Sequence, residues 1–145
     1  MAALDQIFQG DRQPGLYRLT PEVNLDLFSV KLQEQGWNLF YLEGENITNK
    51  SEFLQECARA MNFPSYFGNN WDAFEECLAD PTIALGTKSI LLFHHPDKFA
   101  ENEPSQWSIA VHILQTMVEY WREKTVPVYV LFKTEQPILA ELEVL

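Results

Sequence analysis

Positive charge is scarce in this sequence, and its distribution is more informative than its total. The chain of 145 residues has 10 Lys and Arg against 21 Asp and Glu, a formal net charge of −11 at pH 7. A field of that sign repels nucleic-acid backbones and anionic lipid surfaces, so we expect binding to neither. Residues 60–87 contain no Lys or Arg, although they include Asp72, Glu75, Glu76 and Asp80. These carboxylates must find cations elsewhere in the fold or on a partner.

Cysteine and long apolar runs are also scarce. Cys57 and Cys77 have no Cys-x-x-Cys pairing and no flanking His, so neither a zinc site nor a redox dithiol is indicated, and we expect reduced core thiols. No stretch reaches the ~18 uninterrupted apolar residues of a membrane span. The N-terminus has Asp5 where a signal peptide would have basic residues. We therefore expect a cytoplasmic protein without a cofactor.

What remains is a globular composition, with 46% hydrophobic and 13% aromatic residues, of a length that suits one domain over residues 1–145. Periodicity predicts helices over 21–35, 50–61 and 105–124, and a short helix after Asn70. Strands are predicted over 37–44, 89–95 and 126–132, with a weaker one over 15–19. This alternation predicts an α/β domain whose small parallel sheet, of three firm strands and a weaker fourth, packs against helices.

The stretch PSYFGNNWDAFEECLAD, residues 64–80, predicts a helix with one apolar and one acidic face. The apolar side chains fall at i, i+3 and i+7, as Trp71, Phe74 and Leu78. Because helical residues are 100° apart around the axis, Asp72, Glu75 and Glu76 then face outward as an acidic ridge. Asp72 suits the helix N-terminus, but Glu75 and Glu76 lie in the C-terminal half, where the macrodipole disfavours negative charge by about 0.3–1 kcal/mol.

The acidic ridge contains a further unfavourable pair. Asp72 and Glu76 are like charges at i,i+4, and no Lys lies one turn away to offset them. Uncompensated charge of one sign indicates a surface whose cations are supplied by a partner. The alternative is that the ridge is a solvated helix face with no binding role.

Aromatic residues and a second acidic pair extend this candidate surface. Tyr66 and Phe67 lie in the loop before the helix, and two adjacent aromatic side chains cannot easily both turn inward, so we expect at least one to be exposed. An exposed aromatic side chain beside carboxylates is typical of binding hot spots. Glu119 and Glu123 form another i,i+4 pair on the helix predicted over 105–124.

Two other site types need consideration. Asp72 and Glu76 could act as an acid–base pair or as Mg²⁺ ligands, but this requires a concave site, and a helix ridge is convex. His94 and His95 lie at the ligand-binding edge of the predicted sheet. Adjacent residues of a strand point to opposite faces, so we expect these two side chains to have structural or solvent roles. We predict neither a metal site nor an enzyme.

Residues 37–132 resemble the barstar family of ribonuclease inhibitors. The most specific part is FPSYFGNNWDAFEECL, which is similar to the family's pattern of Pro, aromatic pair, Gly, Asn, apolar-Asp-Ala-apolar and acid-Cys-Leu. The resemblance implies a three-stranded parallel sheet packed against helices. Residues 1–36 lie outside it and are expected to add a β–α unit at a sheet edge.

The resemblance also implies a mechanism, in which carboxylates take the places of RNA phosphates in the active site of a basic, extracellular-type ribonuclease. Tyr66 would pack on the catalytic rim. Asp72 and Glu76 would engage active-site cations, and Glu119 would reach an arginine at the edge. Two further positions match the family's binding residues, Asn70 and Glu123. The protein would be an intracellular inhibitor and not an enzyme.

Two departures from the family pattern bear on the target. The family member with the known target has Asp in place of Glu76 and Trp in place of Glu75. It also has a Gly-Trp pair after the helix, whereas residues 75–92 contain no aromatic side chain. The surface is therefore more acidic and less aromatic. An alternative is an acidic immunity or adaptor protein whose basic partner is not a ribonuclease.

Overall fold

The computed structural model describes residues 2–83 and 86–145. Ten helices and strands follow in chain order: α1 (Ala2–Phe8), β1 (Leu16–Leu19), α2 (Leu25–Glu34), β2 (Asn38–Glu43), α3 (Lys50–Met61), α4 (Trp71–Leu78), β3 (Ser89–His94), α5 (Asp97–Asn102), α6 (Pro104–Glu123) and β4 (Val128–Lys133). A 3-10 turn, Gly44–Asn46, follows β2. Among the described residues, no helix is long and apolar enough to cross a membrane.

The four strands form one parallel sheet in the order β1-β4-β3-β2. This confirms the predicted α/β class and the weaker fourth strand, which is the edge strand β1. The C-terminal tail lies along the outer side of β1, where Arg18 N donates to Glu143 O at 2.8 Å and Leu145 N donates to Arg18 O at 2.9 Å. This contact pairs part of an edge that would otherwise expose backbone groups.

Both faces of the sheet are covered, which explains the unbroken apolar runs of β3 and β4. Alternate residues face opposite sides, so Leu91 and Phe93 join the core under α3, α4, α5 and α6, while Ile90 and Leu92 join the core under α1 and α2. The same alternation in β4 places Tyr129 on the second side. Strands buried on both faces have no polar side to alternate with.

Sequence patterns misplaced the start of α2 and missed two helices. The helix predicted over 21–35 begins instead at Leu25, because Thr20 O accepts from Val23 N in a turn and Asn24 provides the N-cap by accepting from Leu27 N. Thr20 and Asn24 are both good caps, and only packing chooses between them. The helices α1 and α5 are short, with 7 and 6 residues, so their patterns are too brief to recognise.

The expected orientation of the two histidines, on opposite faces, was wrong. His94 is the last residue of β3, but His95 lies beyond the strand with φ 56°, so the alternation of strand faces no longer applies to it. Its imidazole turns back onto that of His94, and the ring centroids are 3.7 Å apart. The two side chains therefore lie on the same side of the sheet edge.

Phe53 on α3 lies at the centre of the larger of the two cores, the one between the sheet and α3, α4, α5 and α6. Its ring lies 5.3–6.1 Å from those of Trp71, Phe74, Phe93 and Phe99, and none of its surface is exposed. These contacts join α3, α4, α5 and the sheet. The position of α4 therefore depends on this side chain.

We expect Phe53→Ala to lower the free energy of unfolding by about 3–5 kcal/mol, because it removes a buried aromatic ring and leaves a cavity among four others. Urea denaturation followed by circular dichroism measures the change. Tyr66→Ala is the control, since Tyr66 is 83% exposed and its removal should change stability by less than about 0.5 kcal/mol. Equal stability of the two variants would contradict the central position of Phe53.

Candidate protein-binding surface

The loop between α3 and α4 turns sharply at its start and exposes one aromatic side chain. Asn62 ends α3 in the left-handed conformation, with φ 55°. Phe67 packs on Phe63, with ring centroids 5.1 Å apart, and contacts the larger core. Tyr66 is 83% exposed, the most exposed large hydrophobic side chain of the described residues. Phe67 therefore anchors the loop while Tyr66 projects from it, as expected for the pair.

Asn70 determines where α4 begins. Its side-chain oxygen accepts a hydrogen bond from Ala73 N at 2.8 Å, and its amide nitrogen donates to Gly68 O at 3.2 Å. The first bond satisfies one of the backbone N–H groups left free at a helix start, and the second ties the helix to the loop. The side chain that the resemblance gives to partner contact thus already has a structural role.

The acidic ridge is exposed as predicted. Asp72, Glu75 and Glu76 are all exposed, while Phe74 and Leu78 are buried. Within residues 2–83 and 86–145, no hydrogen bond or ion pair involves the side chain of any of the three carboxylates. No basic residue occurs in the last turn of α4. The negative charge of the ridge is therefore not neutralised by this part of the chain.

Asp80 behaves differently from the ridge. Its Oδ1 accepts hydrogen bonds from the hydroxyl and the backbone N of Thr82, at 2.7 and 2.8 Å. These bonds hold the pKa of Asp80 below its usual value. The fourth carboxylate of the cation-free segment is thus used in a local turn. Its charge needs no partner to account for it.

Two indole hydrogen bonds fix α4 on α6. At the start of α4, Trp71 Nε1 donates to Gln106 Oε1 at 2.9 Å, and at its end Trp121 Nε1 donates to Leu78 O at 2.8 Å. The second bond satisfies a carbonyl that an isolated helix would leave to water. The bonding partners Gln106 and Leu78 could not be found from sequence, because nothing in a one-dimensional pattern pairs residues on different helices.

The second acidic pair lies on α6, a different helix from the ridge. Glu119 and Glu123 are exposed on α6, and Glu119 accepts a hydrogen bond from Gln115 Nε2 at 3.0 Å. Among the described residues, no hydrogen bond links either carboxylate to α4. Tyr120 of α6 and Glu75 of α4 both line a groove of about 200 Å³ between the two helices. Tyr120 was not among the residues predicted for this surface, although it lies about one turn after the inward-facing Met117.

Both thiols are free. Cys57 is fully buried, and this burial raises its pKa well above the usual value. Cys77 on α4 is half-buried, and its pKa is raised by burial and by the carboxylates of Asp80 and Glu76. Because the thiolate is the reactive form, neither position favours thiol chemistry.

The segment that carries the ridge falls within a recognisable family. A family model described as Barstar (barnase inhibitor) matches residues 37–133. The chain belongs to the barstar family. The barstar match begins at β2 and ends at β4, so it contains α4 and the loop before it, while α1, β1 and α2 precede it. The description is that of an inhibitor family, not of an enzyme family.

A solved structure of a longer protein contains a similar fold. The ORC2 protein of Aeropyrum pernix, determined in ADPNP–ADP complexes, matches this barstar-family chain with a TM-score of 0.62 and 11% sequence identity. The match covers 92% of this chain and 38% of that protein, so the chain spans little more than a third of its neighbour's length. At this identity the likeness shows the fold alone. A comparison with curated proteins found no match.

We expect Asn70→Ala to lower the free energy of unfolding by about 1 kcal/mol, because the helix cap is lost. Asn70→Asp should keep the stability near that of the wild type, since a carboxylate oxygen accepts from Ala73 N equally well. Urea denaturation of the three proteins measures the difference. Equal loss in both variants would show that the amide's bond to Gly68, and not the cap, is what stabilises this loop.

Proposed function

We propose that this protein inhibits a small basic ribonuclease by covering its active site with α4 and the loop before it. The observation that carries the proposal is the unneutralised acidic ridge of Asp72, Glu75 and Glu76, which lies inside the segment matched by the barstar family. Carboxylates spaced along one helix face can occupy phosphate-binding positions among the cations of a nuclease. Tyr66, in the loop before α4, is an exposed aromatic side chain that can serve as an anchor.

Rigidity supports this role. The ridge does not have to be assembled on binding, because Asn70 caps α4 and the indoles of Trp71 and Trp121 join both of its ends to α6. A preformed helix loses less conformational entropy in a complex than a flexible acidic segment would. The like-charge repulsion that costs stability in the free protein is relieved when cations arrive.

The net negative charge of the whole chain also supports the proposal, because it acts on a basic enzyme before the two proteins touch. A net charge of −11 attracts a basic enzyme before contact and raises the association rate, an effect that salt screens. The two departures from the family pattern act here as well. Where the family member with the known target has Trp and Asp, Glu75 adds a negative charge and Glu76 is longer by one methylene. We therefore expect a target with a more cationic rim than that of barnase.

The proposal predicts that Glu76→Gln weakens the complex by about 2–5 kcal/mol, because an enzyme cation is left buried without its partner. The dissociation constant should rise mainly because the complex dissociates faster. Glu34→Gln is the matched control. Glu34 is exposed at the end of α2, which packs on the opposite face of the sheet, and Glu34→Gln has the same net charge as Glu76→Gln. It should change only the association rate, and only slightly.

The measurement begins with inhibition of barnase and of other small basic ribonucleases on a fluorescent RNA substrate. Association and dissociation rates with any inhibited enzyme are then measured at low and high salt, with barstar as the positive control for barnase. Equal binding by wild type and Glu76→Gln would overturn the placement of the interface on α4. Capture of a basic protein that is no ribonuclease, with loss of capture in Glu76→Gln, would instead support the adaptor or immunity alternative.

A further inference from the structure

Three potential metal ligands, none of them on α4, meet at the carboxyl end of the sheet. Glu43 ends β2, His94 ends β3, and the parallel register places them directly opposite each other. Glu43 Oε1 lies 2.7 Å from His95 Nδ1, and Glu43 Oε2 lies 3.3 Å from His94 Nδ1. One ligand atom from each residue lies within 4.8 Å of the other two. A single ion could therefore contact all three.

The backbone is shaped to bring these side chains together. His95 has φ 56°, a conformation that a residue with a Cβ adopts rarely and that clusters at functional sites. Gly44, which follows Glu43, approaches so closely that a Cβ there would lie 1.9 Å from His95 O. His95 N donates to Lys133 O at 2.9 Å and so holds the turn against β4. Glycine at position 44 and the positive φ at position 95 together allow the turn after β3 to lie against the end of β2.

We propose that Glu43, His94 and His95 bind a divalent transition-metal ion of the Zn²⁺ class, through one carboxylate oxygen and the two Nδ1 atoms. Two imidazoles and a carboxylate match the ligands preferred by Zn²⁺, Co²⁺ and Ni²⁺, whereas Mg²⁺ and Ca²⁺ take oxygen ligands. Three protein ligands leave further positions for water or for a ligand donor from a partner. None of these ligands belongs to the acidic ridge, so this proposal does not rest on the proposed inhibition.

Tyr41 supplies the outer contact that orients the carboxylate. Its hydroxyl lies 2.6 Å from Glu43 Oε2 and 2.9 Å from His94 Nδ1. With an ion bound, His94 Nδ1 would contact the ion in place of the tyrosine, and the hydroxyl would keep its bond to Glu43. Carboxylate ligands are commonly held by such outer hydrogen bonds. Because the hydroxyl donates its one proton to Glu43, His94 Nδ1 donates to the tyrosine and His95 Nδ1 donates to Glu43, so each imidazole would have to release that proton or hold it on Nε2 when the ion binds.

The test is calorimetric titration of the full chain with ZnCl₂ and with MgCl₂ at neutral pH under reducing conditions, together with the visible spectrum of the Co²⁺ complex. The expected result is one equivalent of bound Zn²⁺, a rise in Tm with Zn²⁺ but not with Mg²⁺, and the intense absorption of low-coordinate Co²⁺. His94→Ala and His95→Gly should each weaken Zn²⁺ binding by at least about tenfold. Glycine is chosen at position 95 because it accepts the positive φ.

His112→Ala is the matched control. It removes the remaining histidine of the chain, which is exposed on α6, and should leave the affinity unchanged. Circular dichroism without metal checks that each variant folds. If His95→Gly does not fold, the test rests on His94→Ala. The proposal is overturned by the absence of saturable Zn²⁺ binding, by binding that survives His94→Ala, or by equal loss in His112→Ala. The last two outcomes would indicate adventitious binding to surface carboxylates or thiols.

Discussion

The anchoring of α4 in the core is the constraint on which the rest of this surface depends. A helix of eight residues is too short to be stable alone in water, and this one also carries three acidic side chains that form no ion pair with the described residues. It persists because Phe74 and Leu78 are buried against the rings around Phe53 and because α6 supplies hydrogen bonds at both ends. Apolar packing thus stabilises a helix whose exposed face is electrostatically unfavourable.

That arrangement separates stability from binding. The residues that hold α4 are aromatic or apolar and face inward, while the residues proposed to meet a nuclease face outward and contribute little or negatively to folding. An acidic face of this kind is retained at a cost to the free protein, which is the pattern expected of a functional surface. The same separation means that a change of charge at position 75 or 76 leaves the packing of α4 untouched.

At the carboxyl edge of the sheet, backbone conformation and not apolar packing determines how the side chains are arranged. There the backbone itself is under constraint, since Gly44 permits a contact that no other residue would and His95 takes a positive φ. The constraint brings Glu43, His94 and His95 onto one another, although a regular strand would have separated the two histidines. Parallel sheets place their ligand sites at this edge because the strands end there side by side and loops diverge from it.

Sequence patterns went far with this protein where the physics is local. The range of α3, the apolar stripe and exposed ridge of α4, and the doubly covered β3 and β4 all follow from side-chain periodicity, which depends only on the geometry of one helix or strand. The family pattern in FPSYFGNNWDAFEECL is likewise a local signal, and the match over residues 37–133 bears it out. The assignment of Tyr66, Asp72 and Glu76 to a partner remains a prediction.

What only the tertiary structure decided are the pairings between distant residues. Asn24 rather than Thr20 caps α2, Trp121 donates a hydrogen bond to Leu78, Tyr120 and Glu75 line one groove, and Glu43 meets the two histidines. Each depends on how helices and strands are set against one another, a choice made by packing the whole core. The sequence by itself determined which faces are apolar and which are charged, since that is written residue by residue. Which of those faces meet could be settled only by the fold, because contact between them is a property of three dimensions.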